Sequence, residues 1–381
     1  MTVRSNVRSA SASGKPKVER KTSRVRAAVA GVLLAVGSVA FTLLAGEAAC
    51  RLAGYRGVEQ YRPDGELGWV LEPGQTTATS AGHLPVTINA QGFRDDPLAP
   101  PKRAETVRIF AVGASTTFGW GVRQYETYHQ VLERMLNDSA RAAGSPTRFE
   151  IVNAGVIGYN LWQVGRFMRR IADRYQPDGF IVAYTFNDAW NQAGSLDAQE
   201  RDQLLRGVRR KNLLRSSALF NWLTNARARR VARQAQHAGA PNALAIAQTA
   251  DTTASAAELA AYSATVDSIV SGARGARLSL AFIVPAARGQ PGMNQRQQAM
   301  IDAATAARLP VIHSGQMFGA EDPDSMYLPD DAVHPTARGH AEIARLMYAA
   351  LCAAAVSAPP RDPARVYRDG CRAAPRRPST D

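Results

Sequence analysis

The sequence predicts an α/β fold, a parallel sheet covered by helices on both faces, preceded by one helix long enough to cross a bilayer. Three observations carry this. Short apolar runs recur at residues 107–112, 149–152, 180–184, 278–284 and 310–312, each bounded by turn-forming residues. Apart from Arg108, Glu150 and Ser279 they are apolar rather than alternating, as strands buried on both faces are. Stretches of helical periodicity separate them. A run of twenty uncharged, proline-free residues, 27–46, stands ahead of them all.

Taken in order, residues 1–26 form a basic arm with eight Lys/Arg and one acid, Glu19, and almost no large apolar side chains, a composition that predicts disorder. Residues 27–46 would extend about 30 Å as a helix, the hydrocarbon thickness of a bilayer. They read as a transmembrane anchor, with the basic arm kept cytoplasmic and the body exported to the periplasmic side. A cleaved signal peptide is the competing reading, but its apolar core is shorter, about 7–15 residues. Lipidation of Cys50 is disfavoured by Glu47 three places before it.

Residues 51–106 are rich in Gly and Pro and read as a small β-rich segment, with turn chemistry in the NAQGFRDD stretch around Gly92. The sheet and its helices occupy 107–355. One apolar helix face is marked by Leu161, Val164, Met168, Ile171 and Tyr175, and further helices are expected at 254–273, 294–307 and 337–351. A basic helical insertion covers about 196–250. Within it, residues 201–233 hold ten Lys/Arg and a single acid, Asp202, interleaved with leucines, Phe220 and Trp222. That pattern reads as helices with solvated basic faces, or as a surface for anionic headgroups. Residues 356–381 form a C-terminal tail. Cys352 and Cys371 are either free thiols or, in an exported body, a disulfide pair.

Overall composition, 45% apolar and 20% charged, is that of a globular protein. Half of the net charge of +14 lies in the N-terminal arm, so the high charge is no nucleic-acid footprint, and no nucleic-acid partner is expected.

In parallel sheets ligands bind beyond the carboxyl ends of the strands. The residues delivered there are Ser115 after the first strand, Asn153 to Gly155 after the second and Asn187-Asp188 after the third; Asp331 and His334 follow near the C-terminus. Singly, each has an ordinary structural reading: a helix-capping serine, turn residues, a surface histidine. Together they meet the needs of acyl transfer. A serine hydroxyl requires a base, which His334 supplies; the imidazole requires an orienting carboxylate, and Asp331 lies three residues before it. A tetrahedral intermediate requires fixed N–H donors, for which the Ser115 and Gly155 amides and the Asn187 side chain are candidates.

Ser115, Gly155, Asn187 and His334, in that order and with Asp331 in a D-x-x-H position, resemble the signature of the SGNH (GDSL-type) hydrolases. The resemblance covers about residues 107–352. The INAQGFRDD and Gly65-Glu66-Leu67-Gly68-Trp69 stretches are similar to membrane-anchored bacterial members. It implies a flavodoxin-like three-layer α/β/α sandwich and a serine esterase or O-acyltransferase. The expected substrate is an acylated glycan or lipid outside the cytoplasm. A catalytically silent glycan-binding or assembly protein is the alternative from another class.

Two positions depart from the family pattern. Ala114 stands where an Asp usually supports the serine turn, and Thr185 stands where a Gly usually precedes the asparagine. His340, Asp188 and Asp330 are expected to be structural. The sequence contains no phosphate loop, no G-x-S-x-G elbow and no zinc motif, and no cofactor or metal is expected.

Overall fold

The computed structural model describes residues 17–79, 84–99, 101–189, 191, 194–237, 254–288, 290, 292–313, 323–329, 331 and 333–372. It divides into two units, residues 1–54 and 55–381.

The described part of the first unit is essentially one helix, α1 (Lys17–Leu52). It begins inside the basic arm, so the part of that arm from Lys17 onward is helical rather than disordered. Helix propagation adds one hydrogen bond per residue once nucleated, and Arg, Lys and Glu are good helix formers. Its apolar side chains, including Leu34 and Phe41, are exposed. The segment Val25–Leu52 is long and apolar enough to cross a membrane.

The second unit starts with two small antiparallel hairpins, β1 (Tyr61–Asp64) with β2 (Gly68–Leu71) and β3 (Thr76–Ala78) with β4 (Pro85–Thr87). The five-stranded sheet follows: β5 (Thr106–Gly113), β6 (Arg148–Gly155), β7 (Gly179–Ala183), β8 (Ser279–Val284) and β9 (Val311–His313). All its pairings are parallel, and the spatial order is β6-β5-β7-β8-β9. This is the flavodoxin-like order, whose direction of winding reverses between the first and third strands, here β5 and β7.

Alternation along the strands makes two apolar layers. Phe110, Val112, Phe180, Val182, Leu280 and Phe282 face one core. That core is covered by α4 (Leu161–Tyr175), α7 (Ala256–Gly275) and α8 (Gln295–Ala306) through residues such as Val164, Ile171, Val266 and Met300. Ile109, Ala111, Ile181, Ala183, Ala281 and Ile283 face the other core. There α3 (Tyr128–Ala142) and α9 (Ala337–Ser357) supply Leu132, Leu136, Ile343, Met347 and Leu351. Each Val, Leu, Ile, Phe or Met among them, fully buried, contributes about 1.5–3 kcal/mol. Helix α3 stands outside the elements expected individually from the sequence.

Two segments expected outside the sheet domain, residues 51–106 and the tail from 356, contribute to these cores. The hairpins contribute Tyr61, Leu67, Leu71 and Val86 to the first layer. Residues Pro363–Cys371, within the expected tail, form a 3₁₀ helix that buries Tyr367 parallel to the ring of Phe149 in the second. A disulfide joins Cys352 to Cys371 and ties that segment to α9. The basic insertion begins as two helices, α5 (Ala198–Arg215) and α6 (Ala218–His237); its end lies outside the described residues.

Candidate active site

Ser115 stands immediately beyond β5 and opens a single helical turn, α2 (Ser115–Phe118), that closes at Gly119 with φ 87°. The turn is tight because small residues let it approach the sheet. A Cβ on Gly113 would overlap the Thr117 side chain, and one on Gly155 would overlap the backbone nitrogen of Phe118. Its carbonyls are held by Arg94, which is fully buried. Nη1 donates to the Phe118 and Gly119 carbonyls at 2.7 and 2.6 Å, and Nη2 donates to Val122 O at 2.8 Å. The guanidinium also lies over the Phe118 ring. Burial pushes its pKa down to about 10, still high enough to keep it charged at neutral pH. The neighbouring Asp95 accepts the Asn153 N–H at 2.8 Å, and Asn153 Nδ2 donates to Phe118 O at 3.1 Å. With Ala114 in place of the usual Asp, the turn is therefore supported from the FRDD stretch, whose loop is closed by Asn89 Oδ1 accepting the N–H groups of Gln91 and Phe93.

His334 reaches Ser115 from a loop 219 residues away in sequence; its Nε2 lies 2.7 Å from Ser115 Oγ. On the other side Nδ1 lies 2.7 Å from Asp331 Oδ2. Asp331 Oδ1 accepts the Val333 and His334 amides at 2.8 and 2.9 Å, so the carboxylate organises its own loop as well as the imidazole. Burial raises the Asp331 pKa, but the hydrogen bond and charge of His334, with the two amides, outweigh it and hold the carboxyl below its ordinary value. The loop is docked by Leu328, whose N–H donates to His334 O at 2.9 Å and whose side chain packs where a Cβ on Gly121 would sit. Tyr327 OH ties it to Ala286 O beyond β8, and the Trp120 indole packs 5.7 Å from the His334 ring.

Asn187 follows β7 and donates one Nδ2 hydrogen to Tyr159 O at 2.9 Å, leaving the second free to point elsewhere. Gly155, expected as a backbone donor, has its N–H committed to Asn153 Oδ1 at 3.0 Å; its lack of a side chain serves the close approach of α2. Three residues on, Gly158 adopts φ 84°, next to the carbonyl held by Asn187. Among the described residues neither the Gly158 nor the Ser115 N–H has a protein acceptor. The loop of residues 157–160 is fixed from three directions. Trp69 Nε1 donates to Ile157 O at 3.1 Å, Asn191 Nδ2 to Gly158 O at 2.7 Å, and Asn160 caps α4 by accepting the Gln163 N–H. Gly158 escaped the sequence reading, although a glycine three places after Gly155, just before a capped helix, was a visible signal.

Thr185, the second departure, donates its hydroxyl to Asp188 Oδ2, while Asp188 Oδ1 accepts the Leu161 N–H at 3.0 Å. The pair braces the start of α4 beside Asn187. His340 is buried and accepts the Tyr128 N–H at 3.2 Å, and burial pushes its pKa down to about 3. Asp330 lies outside the described residues. Among the described residues no group of three or more His, Cys, Asp or Glu side chains is placed to hold a metal ion.

Residues 111–342 match the profile of the GDSL-like Lipase/Acylhydrolase family, which is more than half of the chain. The chain belongs to this family. Membership sets the class of reaction, hydrolysis of esters, and leaves the acyl group and its carrier open. No curated protein matches the chain. Among solved structures, the chain is similar to a psychrotrophic esterase from Pseudoalteromonas sp., at 14% identity over 64% of this chain and 96% of that one, TM-score 0.35. An alpha/beta hydrolase from the metagenome of Lake Arreo, Spain, aligns at 15% identity over 70% and 97%, TM-score 0.40. An acetylxylan esterase from Geobacillus stearothermophilus aligns at 14% over 64% and 93%, TM-score 0.38. Likenesses this loose bear on neither substrate nor mechanism.

Proposed function

We propose that this chain is a membrane-anchored serine esterase that removes acyl groups from an extracytoplasmic glycan or lipid through an acyl-enzyme. The observation that carries the reading is the continuous hydrogen-bonded line from Ser115 Oγ through His334 to Asp331, with 2.7 Å at each step. With the Nδ1 proton directed at Asp331, Nε2 is the acceptor for the serine proton. Ser115 Oγ attacks the ester carbonyl as its proton passes to Nε2. The tetrahedral oxyanion is met by the Ser115 N–H, the second Nδ2 hydrogen of Asn187 and the Gly158 N–H, which takes the part first expected of Gly155. Collapse breaks the ester C–O bond, and the departing alkoxide takes the proton from Nε2. Water then loses a proton to the same nitrogen, attacks the acyl carbon and releases the carboxylic acid, restoring Ser115. Asp331 stabilises the imidazolium in both halves.

The orientation proposed is N-terminus inside and residues 55–381 outside. The basic residues ahead of the apolar helix support it, as does the Cys352–Cys371 disulfide, a bond of oxidising compartments. A fluorophosphonate probe tests the core of the reading. It should label the intact chain at Ser115, and Ser115→Ala should abolish labelling. A folded protein that stays unlabelled supports a non-catalytic glycan-binding role instead.

A further inference from the structure

The insertion between β7 and β8 carries a feature that ester hydrolysis does not use. In the described part of residues 55–372, the large apolar side chains left exposed are few, and four of them cluster at the turn between α5 and α6. They are Leu213 (77% exposed), Leu214 (48%), Trp222 (41%) and Leu223 (50%). A globular surface that concentrates leucines and a tryptophan in one place marks a contact face. Immediately before them on α5 stand Arg209, Arg210 and Lys211, all exposed and with no acid in hydrogen-bonding or ion-pair range among the described residues.

The position of this turn in the chain identifies what it meets. Its backbone is bound to the first residues after the anchor: Val58 N–H donates to Arg215 O at 3.0 Å, and Gly57 lies so close that a Cβ there would stand 3.0 Å from the carbonyl oxygens of Arg215 and Ser216. Asn212 Oδ1 accepts the Tyr61 N–H at 3.1 Å, and the Arg215 guanidinium lies 4.6 Å over the Tyr61 ring. Helix α1 ends at Leu52. Five residues of chain extend at most about 18 Å. Gly57, to which the turn is fastened, is therefore tethered within about 18 Å of the last residue of α1.

We infer that the α5–α6 turn is a second membrane contact, in which Leu213, Leu214, Trp222 and Leu223 enter the headgroup boundary of the bilayer that α1 spans while Arg209, Arg210 and Lys211 pair with anionic lipid phosphates. Leucine and tryptophan beside arginine and lysine is the composition of interfacial helices. Each basic side chain near an anionic surface shifts such an equilibrium about fivefold, so three together shift it on the order of a hundredfold. The contact would hold the esterase at a set height and orientation over the membrane and so favour acyl esters carried near its surface. The docking itself rests on α1 being retained in the membrane; the consequence for substrate rests on the proposed esterase activity.

The test uses the full chain in nanodiscs, with a polarity-sensitive fluorophore on Leu214→Cys in a Cys50→Ser background. In discs containing phosphatidylglycerol the dye should shift to the blue, and iodide should quench it several-fold less than in discs of phosphatidylcholine alone. The triple charge reversal Arg209→Glu/Arg210→Glu/Lys211→Glu should remove the difference while hydrolysis of a soluble p-nitrophenyl ester is unchanged, which separates loss of docking from loss of fold. Equal iodide access in both lipids would overturn the proposal. So would protection that depends on protein concentration rather than lipid charge, which would assign the face to a second copy. Loss of soluble-ester activity in the parent chain would refute the esterase reading and leave the dye result to decide the docking.

Discussion

Arg94 Nη1 donates to the carbonyl of Phe118 at 2.7 Å, across 24 residues of sequence and with no exposure to solvent. It fastens the end of the helical turn whose first residue is Ser115. Arg94→Met removes three N–H···O bonds; Phe118 O keeps the Asn153 side chain and Gly119 O the longer bond from the Val122 N–H, while Val122 O loses its Arg94 partner. Hydrogen bonds to a charged group contribute about 1.5–3 kcal/mol each but are not additive, so the melting temperature should fall by several degrees or more. Among molecules that remain folded, kcat should drop with little change in KM, because the nucleophile is displaced rather than the substrate. Arg94→Lys restores the charge and only part of the fork, and should recover stability more than kcat. A variant with wild-type kcat would show that the turn keeps its geometry unaided.

The Ser115–His334–Asp331 line should act as a unit. Ser115→Ala is expected to abolish acyl-enzyme formation and His334→Ala to cost nearly as much. Asp331→Asn should have a smaller though large effect, since the loop amides it accepts can still be held. Rates of short-chain p-nitrophenyl ester hydrolysis, each with a melting curve, decide this. Full activity in folded Ser115→Ala would remove the serine from the reaction.

Asn187→Ala should lower kcat on the order of 10²–10³-fold with KM little changed. Gly158 and Gly155 should separate. Gly158→Ala strains a backbone at φ 84° and disturbs a free N–H, and is expected to lower kcat in a protein that still folds. Gly155→Ala forces a side chain into the Phe118 backbone and is expected to destabilise the fold itself. The opposite pattern, a folded but inactive Gly155→Ala beside an unaffected Gly158→Ala, would return the oxyanion role to Gly155.

Stability should depend on pH through the buried Asp95 and the half-buried Glu133, which accepts the Ile151 N–H. Burial raises the pKa of both Asp95 and Glu133 to about 7. Between roughly pH 4 and 7 the folded protein keeps protons that the unfolded chain has released, so stability falls as pH rises through that window and levels off above it. Asp331 has the opposite sign: its depressed pKa adds stability that is present above the ordinary carboxylate value and is lost as pH falls through the folded one. Asp95→Asn should flatten the decline between pH 4 and 7 in melting temperatures. An unchanged slope would remove Asp95 as a source.

A phosphatase fused to the C-terminus should be active outside the cytoplasmic membrane. A fusion active only inside would reverse the proposed orientation, and a mature protein beginning near Ala49 would replace the anchor by a cleaved signal.

The sequence by itself determined the strands, the two-faced burial of the sheet, the apolar helix and the candidate residues Ser115, Asn187, Asp331 and His334. Those features are local: strand and helix periodicities and the residue types at strand ends are written within a few positions of one another. The tertiary structure decided the rest. Arg94 has no local reason to matter until the loop of residues 89–96 folds beside the serine turn. Gly155 ends β6 and Gly158 follows it three residues on, and only the commitment of one N–H to Asn153 and the freedom of the other separates them. Tyr367 lies in a basic, Pro-containing stretch that reads as a tail; a disulfide and a ring-on-ring contact with Phe149 draw it into the core. Hydrogen-bond accounting and steric overlap are properties of pairs far apart in the chain, and their outcome exists only once both partners are in place.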